Sequence, residues 1–189
     1  MENALKTLSD EDLVKVFKEG NRKAFDELYE RYAARLKRLI YYYLGNAEES
    51  SDVLHDVFLR VFMHINSFKT DMSFSSWIYK IAVNCSKNFK RKYRYEVILG
   101  DNEQSIAEGV SGEDSPEEQL LKKEDMKALY DAVGSLKDKF REVFLLRFDQ
   151  GLQYSQISAI LNCPERTAKW RMQKAIEKIV DRLRDEKIV

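Results

Sequence analysis

The chain has 189 residues, of which 44% are hydrophobic and 34% charged, and its 32 basic side chains balance 32 acidic ones. Only 7 glycines and 2 prolines interrupt it, which disfavours an all-β protein with many turns and predicts an all-α chain long enough for two small domains. The sequence contains neither the run of about 18 apolar residues that a membrane span requires nor a basic stretch followed by an apolar one at its start, so we expect a cytoplasmic protein without membrane insertion or a signal peptide.

Residues 1–95 are predicted to form a domain of four helices. Their apolar residues recur at steps of three and four, which is the period of an amphipathic helix. Ser9 and, for the third helix, Ser50 or Ser51 are expected to act as N-terminal caps, and Gly20 is expected to end the first helix. The predicted helices span about 9–20, 22–44, 50–66 and 74–95.

The third predicted helix carries more apolar side chains than one core can take. Asp52, Asp56 and Arg60 line up at four-residue steps, and the positions between them are mostly apolar. The apolar residues are Val53, Leu54, Val57, Phe58, Leu59, Val61 and Phe62. Such a helix either lies at the centre of a bundle or shares a face with a partner protein, and the pattern alone leaves both interpretations open.

The fourth predicted helix and the loop before it combine aromatic and basic side chains. From Phe74 to Tyr95 all six charged residues are positive. The aromatic residues of this region are Phe68, Phe74, Trp77, Tyr79, Phe89, Tyr93 and Tyr95. Because rings stack on unpaired bases while cations follow phosphates, the combination suits single-stranded nucleic acid. The alternative assigns part of the region to the hydrophobic core, namely Phe74, Trp77, Ile78 and Ile81.

Residues 96–115 are predicted to be a flexible acidic linker. From Glu96 to Asp125 the chain has ten acidic and two basic residues, and the glycine-containing first part cannot bury enough apolar surface to order itself. Ser115 and Pro116 then form a strong helix start, which places a second domain at 116–189. Basic helices on both sides of an acidic tether suggest two polyanion-binding modules whose linker avoids or imitates the polyanion.

The second domain contains the sharpest motif, YSQISAILNCPERTAKWRMQKA, at residues 154–175. Its helices are predicted at about 116–133, 136–148, 155–161 and 165–184. A short helix, a tight turn at 162–164 and a longer helix are typical of a helix-turn-helix, whose second helix enters the major groove. The outer face of that helix carries Arg166, Lys169, Trp170, Arg171 and Gln173, and its docking face is expected to use Ile176, Ile179, Val180 and Leu183. The alternative is an ordinary helical corner with a solvated basic face.

Cysteine and histidine usage predicts no metal and no cofactor. Cys85, Cys163, His55 and His64 stand apart from other ligand types. The sequence also lacks a glycine-rich phosphate loop, a nucleophile elbow and paired catalytic carboxylates. We therefore expect a protein that binds rather than an enzyme.

Two stretches of the chain resemble one protein family. Residues 25–84, which include DVLHDVFLRVF, resemble the core-binding and minus-ten domain (region 2) of bacterial extracytoplasmic-function sigma factors. Residues 135–175 resemble the minus-thirty-five domain (region 4) of the same family, in the same order. The resemblance implies a sigma factor that binds core RNA polymerase, directs it to promoter DNA and helps to melt the promoter; whether an anti-sigma factor is a further partner stays open.

The resemblance also implies roles for individual residues. The helix that grips the clamp of the polymerase would use Asp52, Asp56, Leu59, Arg60 and Phe62. The minus-ten loop and the helix beside the melting duplex would use Phe68, Lys69, Thr70, Asp71, Phe74, Lys80, Asn84, Lys87, Asn88 and Arg91. The minus-thirty-five contacts would be made by Ser155, Arg166, Thr167, Lys169, Trp170, Arg171, Gln173 and Lys174. The acidic linker would thread toward basic channels of the polymerase.

The chain departs from the family pattern at several positions. The family commonly has Leu-Pro where this chain has Leu136 and Lys137, and small residues where it has Arg166 and Trp170. No family consensus for the minus-thirty-five element is therefore carried over. A stand-alone helix-turn-helix regulator of duplex DNA is the alternative function, although the clamp-type helix and the aromatic and basic helix favour the sigma factor. A helical adaptor that binds only proteins would leave both basic helices unexplained.

Overall fold

The computed structural model describes residues 2–69, 72–97 and 128–185, and within these ranges the chain is built from helices and turns with no strand. The predicted all-α fold is confirmed. The chain divides into two compact units, unit 1 at Met1–Ser105 and unit 2 at Ile106–Val189. The predicted helix start at Ser115 and all but the first two residues of the predicted linker lie outside the described residues. Within the described part of the chain, no helix combines the length and the apolar character needed to cross a membrane.

Unit 1 contains five helices and one short turn in its described residues. The three longest helices pack against one another, and α2 packs on α3 and α5. The elements are α1 (Glu2–Leu5), α2 (Asp10–Lys18), α3 (Lys23–Leu44), α4 (Ala47–His64), the 3₁₀ turn Ile65–Ser67 and α5 (Phe74–Val97). The sequence analysis missed α1, and α5 includes two residues that had been assigned to the linker.

The start of α4 corrects the sequence prediction. Asn46, rather than Ser50 or Ser51, is the N-terminal cap, and its side-chain oxygen accepts hydrogen bonds from the backbone N–H groups of Glu48 and Glu49 at 2.9 and 3.1 Å. The helix begins this early because Gly45 ends α3 in a left-handed conformation, φ 75°, and Asn46 follows at once. Ser50 is buried inside the helix and donates its hydroxyl to the Asn46 carbonyl.

The core of unit 1 follows the helical period. Val53, Val57 and Val61 of α4 are buried at steps of four residues. The other helices contribute Leu13 and Val14, then Leu28, Leu36, Leu39 and Ile40, then Ile78, Ala82 and Val83. Burial of each of these large apolar side chains contributes about 1.5–3 kcal/mol to the free energy of unfolding. Because only one side of α4 is buried in this way, its other side faces outward.

Unit 2 is a second helical unit around its own core. Residues 128–135 form the described part of α6, and the chain continues through α7 (Asp138–Phe144), a π-helical turn Leu145–Asp149, α8 (Tyr154–Leu161) and α9 (Glu165–Asp185). In the π-helical turn the Gln150 N–H bonds to the Leu145 carbonyl at 3.0 Å. The helix predicted at about 136–148 is therefore present as α7 followed directly by this π-helical turn, which ends at Asp149.

The turn between α8 and α9 has the compact geometry that the motif predicts. Asn162 is left-handed, with φ 48° and ψ 53°, a conformation that asparagine tolerates better than most residues. The Ser158 hydroxyl donates to the Cys163 carbonyl at 2.7 Å, and the Pro164 carbonyl accepts from Thr167 and Ala168 at the start of α9. These bonds fix the angle at which α9 leaves the turn.

The buried side of α9 agrees with the predicted one at Ile179, whereas Val180 and Leu183 are half-buried. Ile176, which was also predicted to face the core, is exposed. The buried residues are Ala168, Met172, Ala175 and Ile179. Because the two alanines add little bulk, α9 can approach α7 and α8 closely through its first turns.

Candidate polymerase and nucleic-acid interfaces

The outward side of α4 presents the residues that the sequence analysis assigned to the polymerase. Asp52, Asp56 and Arg60 are exposed, and Leu59 is 49% exposed between them. Met63, 64% exposed, continues the same side and was not singled out from the sequence. The sequence left open whether this helix is central in the bundle or shares a face with a partner. In the structure, one side of α4 is central in the bundle and the other side carries exposed apolar groups.

Phe62 belongs to an aromatic edge next to this face. Its ring is 49% exposed and lies 5.4 Å from the ring of Phe25 and 5.7 Å from that of Phe17. Phe58 and Tyr29 extend the cluster, with ring centres 4.5 Å apart. The exposed apolar surface therefore runs from α4 toward α2 and α3 and is larger than a single side chain.

Two aromatic residues predicted to contact minus-ten DNA lie in the core instead. Phe74 is 0% exposed and Phe68 is also buried. Their ring centres are 5.8 Å apart, and Trp77 packs 5.1 Å from Phe68. Rings held in this way are not available for base stacking. The burial of Phe74 agrees with the core interpretation that the sequence left open for it, whereas the burial of Phe68 was not anticipated. The fully buried Tyr79 belongs to the same core.

The polar members of the predicted minus-ten set have a different placement. Lys69 is exposed just after Phe68, and Thr70 and Asp71 lie outside the described residues. On α5 the exposed residues are Asn84, Lys87, Asn88 and Arg91, and Lys80 is half-buried. Their spacing puts them along one side of α5. From Phe74 to Lys92 the helix has no acidic residue, so this side concentrates positive charge.

The N-terminal half of α9 carries the predicted minus-thirty-five residues. Arg166, Lys169, Gln173 and the 48%-exposed Trp170 lie on its outer side. The remaining members differ in exposure: Thr167, Arg171 and Lys174 are half-buried, and Ser155 is exposed at the start of α8. The structure brings these residues to one surface of the helix-turn-helix.

Trp170 leans away from the turn and toward α7. Its ring centre lies 6.0 Å from that of Phe140, and the Lys139 ammonium group lies 5.0 Å from the Phe140 ring. A large aromatic side chain with one supported face and one exposed face can make apolar contacts that a small residue cannot.

Tyr154 joins two cations that the sequence analysis did not connect. The guanidinium carbon of Arg147 lies 5.1 Å from its ring centre and the ammonium nitrogen of Lys169 lies 5.7 Å from it. Arg147 also donates to the Leu152 carbonyl at 3.0 Å. Arg147 comes from the π-helical turn, so its position over the Tyr154 ring could not be inferred from local spacing.

Neither cysteine nor histidine groups into a metal site in the parts of the chain that the structure describes. Cys85 is buried in unit 1, where burial raises the pKa of its thiol. Cys163 is half-buried in the turn of unit 2.

Comparison with known proteins relates both units to one family. The model for Sigma-70 region 2 matches residues 28–95, and the model for Sigma-70, region 4 matches residues 126–179. The ECF RNA polymerase sigma-E factor of Haemophilus influenzae is 30% identical over 182 residues, covering 93% of this chain and 96% of that protein. The Escherichia coli sigma-E factor is 31% identical over 178 residues, covering 91% and 93%.

Solved structures show the same fold. The sigma factor RpoE of Bartonella quintana, crystallised with the anti-sigma factor NepR, matches with a TM-score of 0.72 at 21% identity, over 86% of this chain and 98% of that chain. CnrH, solved with the cytosolic domain of CnrY, matches with a TM-score of 0.68 at 20% identity, over 93% and 97%.

Proposed function

Because the chain belongs to the extracytoplasmic-function (ECF) RNA polymerase sigma factors and acts in transcription initiation, we propose that each exposed surface described above contacts a different part of the initiation complex. Unit 1 binds core RNA polymerase through α4 and the minus-ten element through the segment after Phe68 and the basic side of α5. Unit 2 binds the minus-thirty-five element through α9. Sigma factors as a family are not enzymes, and in this proposal the protein works in the cytoplasm by binding alone.

The outward side of α4 is the observation that carries this proposal. Leu59 and Met63 are exposed on a helix whose opposite side is buried, and an apolar centre with a polar rim is the usual composition of a protein interface. The flanking Asp52, Asp56 and Arg60 supply charges that select a complementary partner. A surface that served only solubility would not combine these features with the aromatic edge beside it.

Double substitution of Asp56→Arg and Leu59→Arg tests the polymerase contact. It should weaken binding to core polymerase by at least about 30-fold, since a buried interface centre loses about 2 kcal/mol or more when it is disrupted. Binding is measured by titrating labelled protein with core enzyme, and helical content by circular dichroism. Glu30→Arg on the exposed surface of α3 makes a matched charge reversal away from this side and should leave the affinity unchanged. Equal affinity of the double variant and the parent would remove the assignment.

The minus-ten contacts of the proposal rest on charge and placement. Lys69, Lys87 and Arg91 are exposed, and residues 74–92 include no acidic residue. Cations in this arrangement attract phosphates of either duplex or melted DNA, and the exposed Asn84 and Asn88 can bond to base edges or sugars. The buried Phe68 and Phe74 support this surface from below and do not contact DNA.

The minus-thirty-five contacts rest on the helix-turn-helix. Arg166, Lys169 and Gln173 are exposed on α9 while the opposite side is buried. A helix fixed in this way can enter the major groove with its first turns. The exposed ring of Trp170 is placed to contact a thymine methyl group or the sugar next to it.

Two further features of the proposal concern organisation and control. We retain the predicted domains, 1–95 and 116–189 with the acidic linker between them, and extend the first to the end of α5 at Val97. An anti-sigma factor, like the one bound by the Bartonella quintana protein, would occupy the exposed apolar edge at Leu59 and Phe62. The corresponding experiment measures whether such a protein and core polymerase compete for binding to this chain.

A further inference from the structure

Helix α2 makes two hydrogen bonds to backbone atoms that are far away in the sequence. The Lys18 ammonium group donates to the Phe68 carbonyl at 3.0 Å. A Glu11 carboxylate oxygen accepts from the Phe74 N–H at 2.9 Å. Phe68 and Phe74 are the two flanks of the segment 69–73, which separates the 3₁₀ turn from α5. One helix therefore holds both ends of this segment.

Each of the two bonds joins a charged side chain to a backbone group of the opposite polarity. Phe74 is the first residue of α5, and its N–H has no acceptor within the helix. A carboxylate at a helix N-terminus both accepts this bond and interacts favourably with the helix dipole. The Phe68 carbonyl follows the 3₁₀ turn, where the ammonium group of Lys18 makes a charge-assisted bond. Glu11 and Lys18 are seven residues apart, so both project from the same side of α2.

Helix α2 is itself anchored to α3. Asp10 accepts a bond from the Arg31 guanidinium at 2.9 Å and another from the Tyr32 hydroxyl. Arg31 also donates to the carbonyls of Leu8 and Lys6, each at 2.9 Å. The position of Glu11, next to Asp10, is therefore fixed relative to the core of unit 1.

Packing of α2 does not require these two side chains to reach the flanks. Leu13 and Val14 are the buried apolar residues of α2, and Phe17 packs on Phe25 with ring centres 5.5 Å apart, so the helix has docking contacts apart from Glu11 and Lys18. Another charged pair on the same helix, Asp12 and Lys15, bonds within the helix at 2.8 Å. Asp12 and Lys15 therefore bond to each other within α2, whereas Glu11 and Lys18 bond to the two residues that flank segment 69–73.

We propose that Glu11 and Lys18 are positioning residues which hold Phe68 and Phe74 at a fixed separation and thereby set how efficiently the protein melts a promoter. The inference rests on the proposed minus-ten role of unit 1. It adds that α2 controls this step from behind the DNA-facing surface, without contacting DNA or polymerase.

The test compares two double variants of the full chain in complex with core polymerase. Glu11→Gln with Lys18→Met removes both charges that reach the flanks, and Asp12→Asn with Lys15→Met removes the local pair as the matched control. Open complexes are measured by permanganate reactivity of thymines near the start site, on intact duplex and on a promoter with a pre-melted minus-ten bubble. Core binding and the melting temperature of unit 1 are measured in parallel.

The first double variant should form open complexes on duplex about tenfold more slowly, because misplacing a reactive or binding group by a fraction of an ångström costs rates of this order. Its affinity for core polymerase should stay within about twofold of the parent, and the pre-melted promoter should reduce the defect. The control should behave as the parent on both templates. Unchanged melting of duplex, an equal loss on both templates, or a loss that follows core affinity would each overturn the inference.

A third variant separates this inference from the proposed function. Lys69→Glu places a negative charge in the segment itself and should impair open-complex formation if the segment contacts the minus-ten element. If Lys69→Glu has no effect, the minus-ten assignment is wrong. If Lys69→Glu impairs melting and the variant at Glu11 and Lys18 does not, the assignment stands and the positioning role alone is wrong.

Discussion

The two units present their proposed DNA-binding residues in different ways. In unit 2 the residues lie on one helix, α9, whose opposite side is buried through Ala168, Met172 and Ala175. In unit 1 they are divided between α5 and the short segment before it, and the flanks of that segment are held by α2. We therefore expect a substitution on α9 to have a local effect. The position of the segment in unit 1 depends on the packing of the whole unit, because a distant helix holds its flanks.

The aromatic residues follow the same division. Phe68 and Phe74 of unit 1 are buried beneath the proposed DNA surface, while Trp170 and Phe148 of unit 2 are largely exposed. At its proposed DNA surface unit 1 keeps these rings buried and leaves contact to polar groups, whereas its exposed rings, Tyr29 and Phe62, lie at the aromatic edge beside α4. Unit 2 keeps aromatic surface available to a partner.

The largest effect is expected for Phe74→Ala. The side chain is fully buried against Phe68, Tyr32 and Trp77, and removing such a ring costs about 3–5 kcal/mol of unfolding free energy. Urea denaturation followed by circular dichroism measures the loss. Phe148→Ala, which truncates a 62% exposed ring, is the control and should cost less than about 1 kcal/mol. Normal stability with a loss of DNA binding would restore the stacking interpretation for Phe74.

A smaller effect is expected for Arg171→Ala in unit 2. If Arg171 reads a base, binding should weaken by about 1–3 kcal/mol and preference at one promoter position should relax. If it contacts a phosphate, all sequences should weaken alike and the salt slope should fall by about 1. Fluorescence anisotropy with a set of single-position promoter variants distinguishes the two. Unchanged binding to every template would exclude a DNA role for Arg171.

Asn46→Ala should have a more modest effect on unit 1. Loss of the side-chain cap leaves the N–H groups of Glu48 and Glu49 without their acceptor and should lower the free energy of unfolding by about 1 kcal/mol. Ser51→Ala is the matched control, because the exposed Ser51 hydroxyl only donates to a carbonyl within α4. A larger loss for Ser51→Ala than for Asn46→Ala would return the cap to the position that the sequence predicted.

The last prediction compares the labelling rates of the two cysteines and needs no substitution. Burial raises the pKa of the Cys85 thiol, so at a pH near neutrality less of it is the reactive thiolate than in the unfolded chain. Cys163 is half-buried in the turn of unit 2 and should react faster with iodoacetamide. Mass spectrometry of the labelled peptides gives both rates, which should converge in denaturant. Faster labelling of Cys85 in the native protein would contradict its packing in unit 1.

The sequence alone predicted every described helix except α1, the alignment of the charged residues on one side of α4, and the outer face of α9. A helical period of 3.6 places residues three and four apart on one side, so Asp52, Asp56 and Arg60 were assigned to a common face without coordinates. The family resemblance, carried by motifs that span both units, predicted a sigma factor, which the relatives confirm. These properties depend on residues close together in the chain.

Only the tertiary structure decided which aromatic residues are buried and what holds them. Phe68 and Phe74 lie among cations in the sequence, but their rings pack on Trp77, and on Tyr32 from α3. The bonds from Lys18 and Glu11 span 50 and 63 residues, a separation at which no local pattern constrains the partner. Asn46 is the cap because Gly45 ends α3 directly before it, and packing buries Ala175 rather than Ile176 on α9. Long-range packing selects among side chains that the local period leaves equivalent.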